Sequence, residues 1–259
     1  IPEAHGVEPP KSVADEMLKY DVILMPTTKS LSHTRARKNT SKKGARIASM
    51  PGITIDMMER ALNVDFYKIK QIDDALISKL KNKNKIKITT KKGTNVEFYM
   101  QGRKWTDDAG LYNKKGWFGN LPAGEVGIAP LEGRTNGTII VDASVGGLGM
   151  VDKKIKIDIK NGFVKNIKGG EVANKFKKLL KSKLHRNVAE FGIGTNYKAK
   201  ITGNVLEDEK VSGTCHIAFG NNKFFGGKVY VPFHVDFVIK NPTIYADNFL
   251  VMKEGKIID

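Results

Sequence analysis

Apolar positions along this chain follow two different periods. Up to about Asn84 they recur at helical spacing between short apolar runs. Pro10 can open a helix with Val13, Met17 and Leu18 on one face, and residues 21–26 read as a buried strand. Ser30 or Ser32 can cap a helix running through His33, Arg35 and Arg37, which Gly44 closes. Residues 46–50 read as a second short strand. Thr54 then caps a helix bearing Ile55, Met58 and Leu62, and Ile69, Ile72, Ala75, Leu76 and Leu80 make the stripe of another. Strands alternating with helices imply parallel pairing, so residues 1–84 are expected to form a Rossmann-like α/β domain. The chain opens on Ile1 and enters a helical pattern almost at once, so a first strand of that domain could be missing.

Beyond the lysine- and asparagine-rich residues 81–85 the period becomes two. Ile86, Ile88 and Thr90 alternate, Gly93 turns the chain, and Val96, Phe98 and Met100 alternate again. Ile155, Ile157 and Ile159 repeat the design before Asn161-Gly162, a pair that favours a two-residue hairpin turn. One helix interrupts, with Val172, Phe176, Leu179, Leu180 and Leu184 as its stripe. Residues 85–259 are therefore expected to form a mostly antiparallel, hairpin-rich domain, giving an α/β plus α+β chain.

The alternation is clearest near the end. Val231, Phe233, Val235, Phe237 and Ile239 share one strand face, while His234 and Asp236 leave the other, about 7 Å apart at the backbone. An imidazole beside a carboxylate opposite a greasy face suits a divalent metal, and it equally suits a plain His–Asp hydrogen bond. His216 lies in a similar segment, Thr214-Cys215-His216-Ile217-Ala218-Phe219-Gly220. On a strand the lone Cys215 points away from His216 and into the core.

Composition narrows the field. The 259 residues, 40% hydrophobic and 27% charged, describe an ordinary globular chain, and no apolar run is long enough to cross a bilayer. One cysteine allows no intrachain disulfide and fits a reducing cytoplasm. A net charge of +17 invites nucleic acid, but the excess is lysine spread along the chain. Arginine, which grips phosphate and guanine bidentately, is scarce, so the charge reads as a solvated surface.

Four carboxylates stand in unusual contexts: Glu125 after Leu121-Pro122-Ala123-Gly124, Glu190 among Val188-Ala189 and Phe191-Gly192, Glu209 ahead of His216, and Asp236. If they converged without a cation, neighbouring pairs at ~5 Å would repel by about 3 kcal/mol each at an effective dielectric near 20. Two divalent ions would cancel all four charges, with His216 and His234 as neutral ligands, the makeup of a two-metal hydrolytic site.

Residues 120–126, 190–196, 214–220 and 233–237 resemble the motifs of the aminopeptidase T/aminopeptidase S family of two-metal peptidases. So do Ser30-Leu31-Ser32-His33-Thr34-Arg35-Ala36-Arg37 and Met50-Pro51-Gly52-Ile53, in the same order. The resemblance implies metal ligands at Glu125, Glu190, Glu209, His216, His234 and Asp236, holding two ions of zinc, cobalt or manganese. It also implies proton transfer by Glu209 or Glu125 and a short peptide as substrate. His33, Arg35 and Arg37 could reach the cleft to grip a substrate carboxylate. One departure stands out: the family's tyrosine shortly after the first histidine has no counterpart in Asn221-Asn222-Lys223-Phe224-Phe225.

A second reading keeps the fold and changes the chemistry. His216, His234 and Asp236 alone form a two-histidine, one-carboxylate set suited to a single iron(II). A ring-cleaving dioxygenase of hydroxylated pyridines resembles the same fold family. The expected enzyme is thus a cytoplasmic metallo-aminopeptidase, with the iron dioxygenase, or a non-peptidase relative keeping a metal site, as the alternative. Neither membrane nor nucleic acid is expected as a partner, and a homodimer is left open.

Overall fold

The computed structural model describes residues 5–258. Early in the chain come the helices Lys11–Met17, Arg35–Lys43, Ile55–Arg60 and Phe66–Leu80. The strands Val22–Met25 and Arg46–Ser49 between them pair in parallel. A third parallel strand, Phe118–Asn120, joins the edge of Arg46–Ser49, so this small sheet is completed from beyond residue 84.

Several local expectations change for identifiable reasons. Val22 and Leu24 are 52% and 61% exposed, so their strand is an edge and not a buried element. The small core of Met17, Met25, Ala36 and Ile47 takes only its other face. Thr34 caps the second helix, its hydroxyl accepting from the Arg37 N–H. Ser30 and Ser32 are engaged with each other and with Ser49. His33 is therefore left in the loop before the helix. Gly44 closes that helix in the left-handed region at φ 114°, as expected. Thr54 caps the next helix, whose buried residue is Met57, while Ile55 and Met58 face solvent.

The rest is two large antiparallel sheets. One has eight strands in the order Phe163–Lys168, Ile155–Lys160, Thr135–Val141, Asn95–Tyr99, Lys85–Thr89, Thr243–Ala246, Phe249–Lys253, Lys256–Ile257. The other has seven: Gly149–Met150, Ser144–Val145, His234–Lys240, Thr214–Gly220, Val188–Gly194, Glu125–Ile128, Thr106–Asp107. Asn161 and Gly162, at φ 52° and 74°, make the expected hairpin turn.

The main core joins the two sheets. Ile86, Ile88, Phe98, Ile155 and Ile157 of the first pack with Phe191, Ile193, Ile217, Phe219 and Phe237 of the second. The Phe98 and Phe191 rings sit 5.1 Å apart, close enough for a favourable tilted pair. The helix Glu171–Leu179 adds Val172 and Phe176, the latter 4.6 Å from Phe237. Leu179 and Leu184 are partly exposed, because the helix ends at Leu179 and the chain turns. Among the described residues no helix is long and apolar enough to cross a membrane.

Candidate metal centre

The seven-stranded sheet has one apolar face and one chemical face, and strand alternation builds both. Phe191, Ile193, Cys215, Ile217, Phe219, Val235, Phe237 and Ile239 turn to the core. Glu190, His216, His234 and Asp236 turn the other way. Buried among apolar neighbours, the Cys215 thiol is pushed well above its ordinary pKa.

Bulk on the chemical face is accommodated by pairing each long side chain with a small residue across the ladder. His216 lies opposite Gly192, Glu190 and Asp236 opposite Ala218, His234 opposite Gly220, and Glu125 opposite Gly194. The fit is closest at Gly192, where a Cβ would lie 2.2 Å from the His216 Nε2. A Cβ on Gly127 would lie 3.1 Å from the Glu190 Oε1.

All four carboxylates named from the sequence converge with both histidines. The donor atoms form two neighbouring sets, Glu125 with Glu209 and His216, and Glu190 with His234 and Asp236. Glu190 joins them. Its Oε1 is 3.7 Å from the His216 Nε2 and its Oε2 is 3.1 Å from the His234 Nε2, which is 3.4 Å from the Asp236 Oδ1. The His234 Nδ1–H donates to the Asn221 carbonyl at 2.8 Å, which fixes the tautomer and turns Nε2 toward the carboxylates. That backbone support is the usual partner of a metal-ligating imidazole.

The electrostatics describe a site made for positive charge. Burial pulls His216 down, but Glu190, Glu125 and Glu209 outweigh it and carry its pKa up to about 9. His234 is raised well above its ordinary value by Asp236 and Glu190, again against burial. Burial would lift Glu190, yet the two imidazoles hold it down to about 2. Burial pushes Glu209 up to about 8 against the pull of Lys210. The Glu125 Oε2 and the His216 Nδ1 are buried with no hydrogen-bond partner. Imidazole nitrogens, carboxylate oxygens and an orphaned oxygen among them suit a borderline divalent cation.

Of the three residues expected to grip substrate, His33 lies beside this cluster. Its ring stacks on Phe224 at 4.5 Å, and Phe225, next in the same turn, stacks on His234 at 5.7 Å. Loss of water against that turn, with the charges of Arg37 and His234, pushes the His33 pKa down to about 4. Arg35 instead points to solvent, its side chain 87% exposed and 3.8 Å from Glu8. Arg37 packs over the Phe118 ring at 4.0 Å and donates to the Ser32 carbonyl. Arg35 thus sits at the surface beside Glu8, while the Arg37 charge acts on the neighbouring His33.

Sequence reasoning missed Lys210. Its ammonium is fully buried, 2.5 Å from the Glu125 Oε1 and 2.7 Å from the Glu209 Oε1. Burial lowers its pKa, but Glu125, Glu209 and Asp108 more than reverse that and hold it protonated. It was hidden in Glu207-Asp208-Glu209-Lys210, which reads as an exposed charged turn.

The family model described as NicX, 2,5-dihydroxypyridine 5,6-dioxygenase, matches residues 3–259. The 2,5-dihydroxypyridine 5,6-dioxygenase of Pseudomonas putida KT2440 is 25% identical over 255 residues, 91% of this chain and 71% of that protein. The solved 2,5-dihydroxypyridine dioxygenase from the same strain superposes with a TM-score of 0.79 at 20% identity, covering 95% of this chain and 74% of the other. Wild-type AmpT from Thermus thermophilus gives a TM-score of 0.71 at 14% identity, covering 99% and 81%.

These findings overturn the aminopeptidase expectation. The likeness to AmpT shows a shared fold alone, whereas the family match along nearly the whole chain is to a dioxygenase. Hydrolase and protease are therefore the wrong classes, and the alternative drawn from the two-histidine, one-carboxylate set is the better supported one. The missing tyrosine after His216 accords with that change. This chain belongs to the 2,5-dihydroxypyridine 5,6-dioxygenase (NicX) family.

Proposed function

We propose that this protein is a metal-dependent dioxygenase that opens a small hydroxylated aromatic ring, with dihydroxypyridines as the substrate class. The observation that carries the reading is the family match over residues 3–259, coinciding with convergent imidazoles and carboxylates on one sheet face. His216, His234, Asp236 and Glu190, whose donor atoms neighbour one another in series, would hold one ferrous ion. Such an ion supplies the one-electron chemistry that triplet oxygen needs to react with a closed-shell ring.

The protein's own residues supply the setting. The Asn221 carbonyl orients His234, and the sheet's small residues make room for the ligand side chains themselves. Phe224, Phe225 and His33 offer flat surfaces beside His234, suited to stacking a planar substrate. With its pKa near 4, His33 is neutral at physiological pH and can hydrogen-bond a ring hydroxyl. The test is oxygen consumption by protein loaded anaerobically with iron(II), across dihydroxypyridine and dihydroxybenzene isomers. Uptake coupled to loss of ring absorbance for at least one isomer is expected. Protein that retains iron yet consumes no oxygen with any dihydroxypyridine would remove the proposal.

A further inference from the structure

We propose that Glu132 is a positioning residue for substrate: through Asn222, Lys228 and Arg103 it holds the rings of Phe224 and Phe225 beside His234, and so sets how tightly a planar ring binds. The inference rests on reading this site as one that takes an aromatic ring. Its starting observation is that the turn Lys223–Phe225 belongs to no sheet, lying on the segment between the strands Thr214–Gly220 and His234–Lys240. Both of its rings nevertheless stack on histidines of the site, Phe224 on His33 and Phe225 on His234. A turn without strand pairing needs another source of order. Residues far away in the chain supply it.

Asn222 gathers the turn from within. Fully buried, it donates its N–H to the Val229 carbonyl at 3.1 Å and accepts the Val229 N–H on Oδ1 at 2.8 Å. Its carbonyl accepts from the N–H groups of Phe225 and Gly227. Gly227 permits that closure, since a Cβ there would overlap the Asn222 side chain. Glu132, on the loop between the strands Glu125–Ile128 and Thr135–Val141, then ties the closed turn to the rest of the protein. Its Oε1 accepts from the Asn222 Nδ2 at 2.8 Å and from the Lys228 N–H at 2.7 Å. Its Oε2 pairs with Arg103 at 2.5 Å, and that guanidinium also donates to the Gly226 carbonyl. Burial lifts the Glu132 pKa, but the Lys228 N–H, Asn222 and Arg103 outweigh it and hold the carboxylate below its ordinary range. These are therefore bonds to an ionised acceptor, the stronger kind. Glu132 belongs to neither donor set, so its hold on substrate passes through the turn. Rings fixed in advance spare the substrate the cost of ordering them.

Anaerobic calorimetric titration of iron(II)-loaded protein with 2,5-dihydroxypyridine, beside kcat and KM from oxygen uptake, tests this. Glu132→Ala is expected to raise Kd and KM about tenfold, the cost of ordering one or two side chains afresh, while kcat falls less than about threefold. Glu132→Gln, which keeps an acceptor for Asn222 and Lys228, should recover most of that loss. In a Phe224→Ala background the same Glu132→Ala change should move Kd by less than about threefold, because one of the rings it acts through is gone. A folded Glu132→Ala with parental Kd, or a tenfold effect that persists in full without the Phe224 ring, overturns the proposal. Should Glu132→Ala not fold, Arg103→Met decides, since it cuts the bonds to Glu132 and Gly226 from the other side. A Kd about fivefold weaker is then expected, and a parental Kd overturns the proposal. A parent that holds iron(II) yet neither binds nor oxidises any dihydroxypyridine sinks the functional reading and this proposal with it. That outcome is distinct from ring binding that ignores Glu132.

Discussion

Gly192→Ala probes the chemical face of the sheet with one methyl group. Gly192 stands directly across the ladder from His216, and its added Cβ would lie 2.2 Å from both Cε1 and Nε2 of that ring. Ordinary contact for such atoms is about 3.5 Å, so ring and methyl must part by more than about 1 Å. His216 is 1% exposed and hemmed between strands, so relief comes at the expense of packing. Overfilling a packed site costs about 1–3 kcal/mol, and for a domain of this size each kcal/mol lowers Tm by about 2–4 °C. The larger consequence is chemical. Ligand distances tolerate about 0.2 Å, so a displacement of about 1 Å takes Nε2 out of the donor set. Disturbing only the support of a ligand costs about 10–100-fold in metal affinity, which sets a floor for the expected loss. Chelator competition would give the iron(II) affinity, with circular dichroism confirming the fold. Gly127→Ala, whose Cβ would lie 3.1 Å from the Glu190 Oε1, should weaken binding far less. A folded Gly192→Ala that binds iron(II) as tightly as the parent would show that His216 is not a ligand.

Two further expectations concern stability. Asp73 is fully buried, accepts from the Thr195 hydroxyl at 2.6 Å, leaves Oδ2 without a partner, and is pushed up to about 8 by burial. Its contribution is fully present below its unfolded pKa near 4 and is lost as pH rises through 8, by at most about 1.4 kcal/mol per pH unit. Asp73→Asn should therefore gain on the parent in urea unfolding between pH 5 and pH 8, and an unchanged difference across that range would refute it. Arg60 donates to the Lys198 carbonyl at 3.0 Å and pairs with Glu207, which is fully buried. Arg60→Ala should cost about 3–5 kcal/mol by leaving that buried charge with only the Lys200 N–H as partner, and a loss under 1 kcal/mol would contradict it.

What the sequence disclosed follows the physics of each element. Strict alternation at residues 231–239 placed His234 and Asp236 on one face because a strand has no other way to segregate Phe233, Val235 and Phe237. Glu125 and Glu190 stood out because carboxylates seldom sit among glycine, alanine and phenylalanine without a partner. Lys210 was invisible: in a chain with 44 lysines and arginines, nothing local marks the one whose ammonium turns inward. The helix start was misplaced by two or four residues, since Thr34 and neither Ser30 nor Ser32 caps that helix. Val22 and Leu24 were misread because a short apolar run looks alike at the edge and centre of a sheet. The reaction itself escaped because imidazoles and carboxylates serve a hydrolytic metal pair and an oxygen-activating iron equally well. Separating them depends on something the donor residues do not spell out: kinship along residues 3–259.

The most direct measurement follows isotopic oxygen. Iron(II)-loaded protein, 2,5-dihydroxypyridine and ¹⁸O₂ in unlabelled water should yield a ring-opened product carrying two labelled atoms by mass spectrometry, after prompt quenching to limit exchange. An intact ring, or product whose added oxygen comes only from water, would contradict a dioxygenase centred on His216, His234 and Asp236.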